Sequence, residues 1–318
     1  MINKKKINLF KSIAFYFFIF FFAIIVIFFA INILIEPQIK KNLAVYSHIS
    51  NNYGIRLKDF LVNLFTFNPG KIYSHELSSS QSNILLLYLN QFKWTFLISF
   101  LVFIISFILG NILGITSAYK LNKSYDVIVS VIVSFIGALP ILIIAIIALT
   151  NSSVFGYPSQ FLNNKLGLVS LFVPVLISSF PTLAIFFSKS RKKTFEILKS
   201  DYYLFAKSYG MNQSQLLRKT ILKELLISEL NLFFVIYVLL FAVTILIERI
   251  FSIPGQSLLI SFAFKKGELD IIMFYFTFNF ILLSIILLCN QIVIKKLDPS
   301  LQEQGLFFKK KLKRGQNA

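Results

Sequence analysis

Apolar residues along this chain fall in long, nearly unbroken runs separated by short polar connections. A helix that crosses hydrocarbon needs roughly 20 mostly apolar residues, because its backbone groups have only one another to bond to. Six stretches meet that requirement: residues 12–35, 94–119, 127–150, 167–188, 229–248 and 271–294. The first follows Lys4, Lys5 and Lys6, the layout of a secretion signal, but its core is too long and reaches Ile35, Glu36 and Pro37 without a small-residue cleavage pattern. It reads as an uncleaved anchor. The pattern therefore predicts an all-α integral membrane protein with six transmembrane helices.

Composition agrees. Hydrophobic residues make up 57% and charged residues 14% of 318, against about 45–50% and about 25% in soluble domains. The 32 Lys and Arg against 13 Asp and Glu give +19, which in a soluble protein would suggest nucleic acid. Here the charges sit between apolar runs, so topology explains them and no nucleic-acid partner is expected. With the amino terminus in the cytoplasm, 22 Lys and Arg fall inside and 10 outside. The positive-inside rule then predicts a multi-pass protein of the cell membrane with both termini cytoplasmic.

Residues 1–35 form the amino terminus and anchor, 36–93 an extracytoplasmic loop or small subdomain, 94–294 a five-helix core, and 295–318 a basic tail. The run at 309–314 is expected to lie near anionic membrane lipid. His48 and His75 read as solvated loop residues and Cys289 as a small buried apolar filler. No metal site or bound cofactor is expected from so few ligands.

The cytoplasmic connection 189–228 is about 40 residues long, basic, and patterned as helix, break, helix. Asp201 stands near a helix start, where the dipole favours it. Gly210 ends that helix, and Asn212 or Ser214 can cap the next. In the second helix Leu217, Ile221 and Leu225 recur at four-residue spacing, opposite Arg218, Lys219 and Lys223. The pair could lie in the lipid interface or pack on its own span ends.

The order of residues adds a further reading. Asp201-Tyr202, then Ala206-Lys207 and Gly210-Met-Asn, then Leu217-Arg218 and Ile221, resembles the coupling loop of the peptide/nickel branch of ABC importer permeases. Glu248, Phe251, Pro254 and Gly255 after span five resemble that branch's external turn, and Asp298-Pro299 its terminal Asp-Pro. Thr95, Gly110, Gly114, Asp126, Pro140 and Asp270 stand in matching order. The likeness covers roughly residues 94–300, and the long first loop points to the oligopeptide-permease B type over the C type. The chain departs from the pattern at Ser228, Ser257 and Ser300.

What the resemblance implies is the type I ABC importer permease architecture, with a cytoplasmic coupling helix. Asp201, Tyr202, Ala206, Lys207, Gly210, Leu217, Arg218 and Ile221 would couple to an ATPase, with Ala206 as the small residue entering its groove. The implied partners are a second homologous permease subunit, two ATP-binding subunits that carry ATP and Mg, and an extracytoplasmic substrate-binding protein. The cargo would be peptide, with nickel as the alternative.

Three prolines, Pro140, Pro174 and Pro181, lie in apolar spans and are candidate gate or pathway positions. Asn111, Asn231, Asn279 and Asn290 are expected to bond between helices. Glu248 is expected at a water-exposed span end. The chain lacks a phosphate-binding loop of the Gly-x-x-x-x-Gly-Lys-Ser/Thr type, so an ATP-driven transporter would draw its energy from partner subunits. A membrane protease or metalloenzyme lacks its intramembrane carboxylate pair or His-x-x-x-His. A secondary transporter or channel independent of ATPases is the competing class, although matching inverted halves are not evident.

Overall fold

The computed structural model describes residues 2–78, 83–158, 160–162 and 167–297. Asp298-Pro299 and the basic run 309–314 lie outside the described residues. Among those described, regular structure is entirely helical. The helices are, in order, α1 (Ile2–Lys41), α2 (Leu43–Tyr46), α3 (Tyr53–Phe65), α4 (His75–Ser78), α5 (Ile84–Tyr119), α6 (Ser124–Ala138), α7 (Ile141–Thr150) and α8 (Ser152–Phe155). They continue with α9 (Gly167–Ser170), α10 (Phe172–Leu198), α11 (Asp201–Ser208) and α12 (Gln213–Leu216), then a π-helix (Leu217–Leu222), α13 (Lys223–Leu230), α14 (Phe233–Ile250), α15 (Gln256–Lys266) and α16 (Leu269–Leu297). Five helices are long and apolar enough to cross a membrane, and the pair α6 and α7, bent by 84°, passes the same test together. The bend sits at Pro140, the N-cap residue of α7, as the sequence suggests.

The chain divides into two compact units. One unit comprises residues 1–93 and 255–282. Here α1 continues beyond Ile35, through Pro37, to Lys41. Extension keeps Ile35 and Ile39, four residues apart, on one buried face. Likewise α5 begins at Ile84 instead of Trp94, because Ile84, Leu87 and Tyr88 are buried. Residues 36–93 thus carry α2, α3, α4 and parts of two long helices. The Tyr88 hydroxyl donates to Gln256 Oε1 at 2.8 Å, and Asn279 Nδ2 donates to the Tyr88 oxygen at 2.8 Å and to Gln256 Oε1 at 3.0 Å. This triad uses Asn279 as the sequence anticipates, between helices.

The other unit comprises residues 94–254 and 283–318, and α10 is its hub, touching α6, α7, α9, α11, α13 and α14. Two glycines let α5 approach it. A Cβ on Gly110 would stand 2.6 Å from Phe186 Cβ, and one on Gly114 2.8 Å from the Phe187 carbonyl oxygen. From the α6 side, Gly137 meets Ala184 Cβ in the same way, at 2.5 Å. Small residues at such crossings allow the backbone approach that packs membrane helices. Above them Ile98, Val102, Val175, Leu240, Val243 and Ile247 form part of one apolar core.

At the other end of α10, Arg191 grips Asp126 of α6 through Nε and Nη2, both at 2.7 Å. Asp126 also accepts from the Asn122 backbone N–H at 3.0 Å and from the Ser117 hydroxyl. A buried carboxylate is tolerable when donors fill its lone pairs, and these four do so.

Three expectations are revised. Span five starts at Phe233, because Glu229 remains on α13, where Asn111 Nδ2 donates to its carboxylate at 3.2 Å. Asn231 bonds back within its own segment, to the Ile227 carbonyl. Cys289 is exposed on α16, not buried.

The Asp126–Arg191 pair yields an ordered prediction. Arg191→Ala leaves a buried carboxylate without its cation and should cost about 3–5 kcal/mol. Asp126→Ala leaves a guanidinium that is partly exposed and can reach water, so its cost should be smaller. Melting temperatures of detergent-purified protein test the order; equal values, or a reversed order, would mean that the pair does not brace α6 against α10.

Candidate functional site

The connection after α10 builds its surface from local rules. Ser200 precedes α11, Asp201 sits in its first turn, and Gly210 closes it at φ +86°. The Gly210 N–H donates to the Lys207 carbonyl at 3.1 Å and the Met211 N–H to that of Ala206 at 3.3 Å. These two bonds form a Schellman end, in which a glycine takes the left-handed position at low cost. Asn212 then opens α12 with a reciprocal capping box, its side chain accepting from the Gln215 N–H at 2.9 Å and its own N–H donating to Gln215 Oε1 at 3.2 Å. Of the two caps the sequence allows, Asn212 is the one used.

Next comes the π-helix, whose i to i+5 bonding widens the turn. Its effect is a shift in the apolar face. Leu216, Ile221 and Leu225 are the buried positions, while Leu217 is half-buried and Arg218 exposed. Four-residue spacing from Leu217 misses this, because it assumes an ordinary α-helical turn throughout.

A small core holds the unit of α11, α12 and the π-helix together: Ile197, Tyr203, Ala206, Leu216 and Ile221, with Met211 against it. Ala206 is only 9% exposed and points into this core. Phe205 at 71% and Tyr209 at 79% point outward instead, with Tyr202 and Leu204 beside them, while Tyr203 faces the core. The Phe205 and Tyr209 rings are stacked, centroids 6.4 Å apart. Asp201 and Lys207 are exposed on the same short helix. Partial burial raises the pKa of the Tyr202 hydroxyl, so it is a neutral donor and acceptor at physiological pH. The sequence expectation singled out Ala206 for its size; the i, i+4 pair Phe205 and Tyr209 was the available signal for the outward face.

The turn after α14 is also directed inward. Glu248 is fully buried, contrary to the expectation of a water-exposed carboxylate. Its carbonyl accepts from the Ile253 N–H at 2.9 Å, which folds the turn back under the helix end. Phe251 is buried in the apolar core, and its carbonyl accepts from the Phe161 N–H at 3.0 Å. Pro254 is half-buried, Gly255 is the buried N-cap residue of α15, and Ser252, at φ +53°, is the exposed crest.

The prolines separate into three situations. Pro140 divides α6 from α7, Pro174 lies in the first turn of α10, where a proline costs little, and Pro181 lies inside α10. Of these three, the last alone removes a bond from the middle of a helix.

These features can be set beside known proteins. A protein of Brucella suis named as a putative peptide transport system permease is 25% identical over 261 residues, 79% of this chain and 82% of its own length. A dipeptide transport system permease protein of Lactococcus lactis is 28% identical over 127 residues, 40% of this chain and 42% of its own. A nickel import system permease protein of Staphylococcus aureus is 27% identical over 210 residues, 66% of this chain and 61% of its own. The family described as binding-protein-dependent transport system inner membrane component matches residues 110–303, which take in α10, the segment from α11 to α13 and the turn after α14. This chain is a multi-pass membrane protein belonging to that family.

Proposed function

We propose that the chain is the B-type permease subunit of an ATP-driven peptide importer, in which α11 carries motion between an ATPase and the spans. The observation that supports this most directly is the pair of stacked, outward rings of Phe205 and Tyr209 on a short helix whose own core is complete. Interface hot spots are enriched in such aromatic residues. The helix joins α10 at Leu198 and packs on it, so a push on the rings would reach the hub helix directly.

In this reading a second permease completes the pathway, two ATP-binding subunits hold ATP and Mg, and a substrate-binding protein delivers cargo outside. Ala206 packs the docking helix against Ile221, with Leu217 beside that core, and Gly210 ends it, while Tyr202, Phe205 and Tyr209 touch the ATPase, flanked by Asp201, Lys207 and Arg218. Ser252 offers the outer crest to the delivery protein, and Glu248, Phe251, Pro254 and Gly255 form its footing. The names of the Brucella and Lactococcus relatives favour peptide as cargo, and that of the Staphylococcus relative favours nickel; uptake of labelled peptide against radioactive nickel decides between them.

Orientation is tested in a Cys289→Ser background. An impermeant thiol reagent added to intact cells should label Ser252→Cys and leave Ser208→Cys unlabelled. The reverse pattern would place α11 outside and end the coupling reading.

Coupling itself is tested by Phe205→Ala combined with Tyr209→Ala. Both side chains are exposed, so the protein should fold and pair with the second permease, yet ATPase co-purification should fall at least tenfold, about 1.4 kcal/mol. Ala206→Asp should differ, disrupting the loop's own core and its protease resistance. Unchanged ATPase recovery and substrate-stimulated hydrolysis in the double variant would overturn the assignment.

A further inference from the structure

The helix α3 (Tyr53–Phe65) belongs to the segment expected to be an extracytoplasmic loop or subdomain, yet its partners lie deep along the anchor. Phe60 stacks on Phe28 of α1 with centroids 5.4 Å apart, and Phe65 meets Phe21 at 6.3 Å. Measured at 1.5 Å per residue from Ile35, the last residue of the anchor's apolar run, Phe28 lies about 10 Å and Phe21 about 21 Å down the helix. Hydrocarbon is about 30 Å thick. With Ile35 at the outer boundary, both rings are inside it even with strong tilt, and so are the residues that pack on them.

The top of α3 fits the same depth scale. Arg56 Nη1 donates to Glu36 Oε2 at 2.7 Å and to Asn32 Oδ1 at 3.3 Å. Those partners flank Ile35 on α1. Lys58 lies two residues above Phe60, about 3 Å along the axis, and is exposed. From there a lysine stem can carry its ammonium to headgroup level.

The two faces of α3 differ in kind. The outward face is an apolar groove of Leu57, Leu61, Val62 and Phe65, running from Gly54 to Thr66 with Lys58 in its upper half, and Phe65 is 64% exposed. The inner face, with Arg56, Asp59 and Asn63, lines a mixed cavity of about 350 Å³ shared with Asn68, Tyr73 and Asp270, and Phe60 and the edge of Val62 also border it. Beyond Phe65 the chain turns locally: the Thr66 N–H bonds the Val62 carbonyl at 2.9 Å and the Asn68 N–H that of Asn63 at 2.8 Å. It then returns to the head of α16, where the Lys71 N–H donates to Asp270 Oδ2 at 2.8 Å. Non-helical backbone is tolerated at membrane depth when it bonds internally or borders a partly polar cavity. The return segment does both.

We infer that α3 and its return form a re-entrant element entering the membrane from its outer side, with a phospholipid acyl chain lying in the groove of Leu57, Leu61, Val62 and Phe65 and the lipid phosphate at Lys58. Depth and continuity with α1 select lipid as the occupant, and the cation in the groove's upper half matches an anionic headgroup. The inference requires only that α1 crosses the membrane; it is independent of the cargo and of coupling.

The test uses the full chain with Cys289→Ser, reconstituted in vesicles of phosphatidylethanolamine and phosphatidylglycerol. Nitroxide labels are placed singly by Val62→Cys, Phe65→Cys, Lys58→Cys and Asp59→Cys. Collisional relaxation by oxygen should exceed that by a water-soluble nickel chelate several-fold at positions 62 and 65. The two reagents should be near balance at 58, and the nickel chelate should prevail at 59. Two substitutions on the groove keep the test usable if either one fails to fold. Dominance of the nickel chelate at 62 and 65 would make α3 part of a water-exposed subdomain. Protection from both reagents would mean a protein neighbour fills the groove. Either result overturns the inference.

Discussion

The approach of α5 and α6 to α10 is the contact on which the unit of residues 94–254 and 283–318 depends. Lipid offers helices little hydrophobic reason to associate, since its tails are as apolar as leucine. Association must come from fit. Gly110, Gly114 and Gly137 supply it by leaving no Cβ where Phe186, the Phe187 carbonyl and Ala184 already stand. With α10 seated, Arg191 can reach Asp126, and α11 emerges from a fixed end.

Much of this architecture was legible in the sequence because membrane spans announce themselves by length and apolarity. The break at Pro140, the helix end at Gly210, the cap at Asn212 and the interhelical use of Asn279 follow from single residues with narrow conformational or hydrogen-bonding demands. The long loop after the anchor was less legible, since α3 mixes Arg56, Lys58, Asp59 and Asn63 with leucine and phenylalanine. A window average reads that mixture as polar, whereas in three dimensions Arg56, Asp59 and Asn63 share one face and Leu57, Leu61 and Phe65 another.

The site was harder to read than the fold. Ala206 and Glu248 stand where the family resemblance draws attention, but a motif records which residue types occur and not which way they face. Ala206 is small because it packs inside against Leu216 and Ile221, and Glu248 is buried beneath its own turn. The π-helix adds a second obstacle. One wider turn moves the buried set from Leu217 to Leu216, a change that no fixed periodicity anticipates.

Pro181 gives the hub helix a property its neighbours lack. A proline donates no backbone hydrogen bond, so the ladder of α10 is missing a rung between the apolar core at Val175 and Ile177 and the ionic clamp at Arg191. The middle is held instead by its neighbours, with Gly110 and Gly137 against Phe186 and Ala184 and the Ser106 hydroxyl on the Ser179 carbonyl. At that point α10 relies on the fit of its neighbours where its own ladder has a gap.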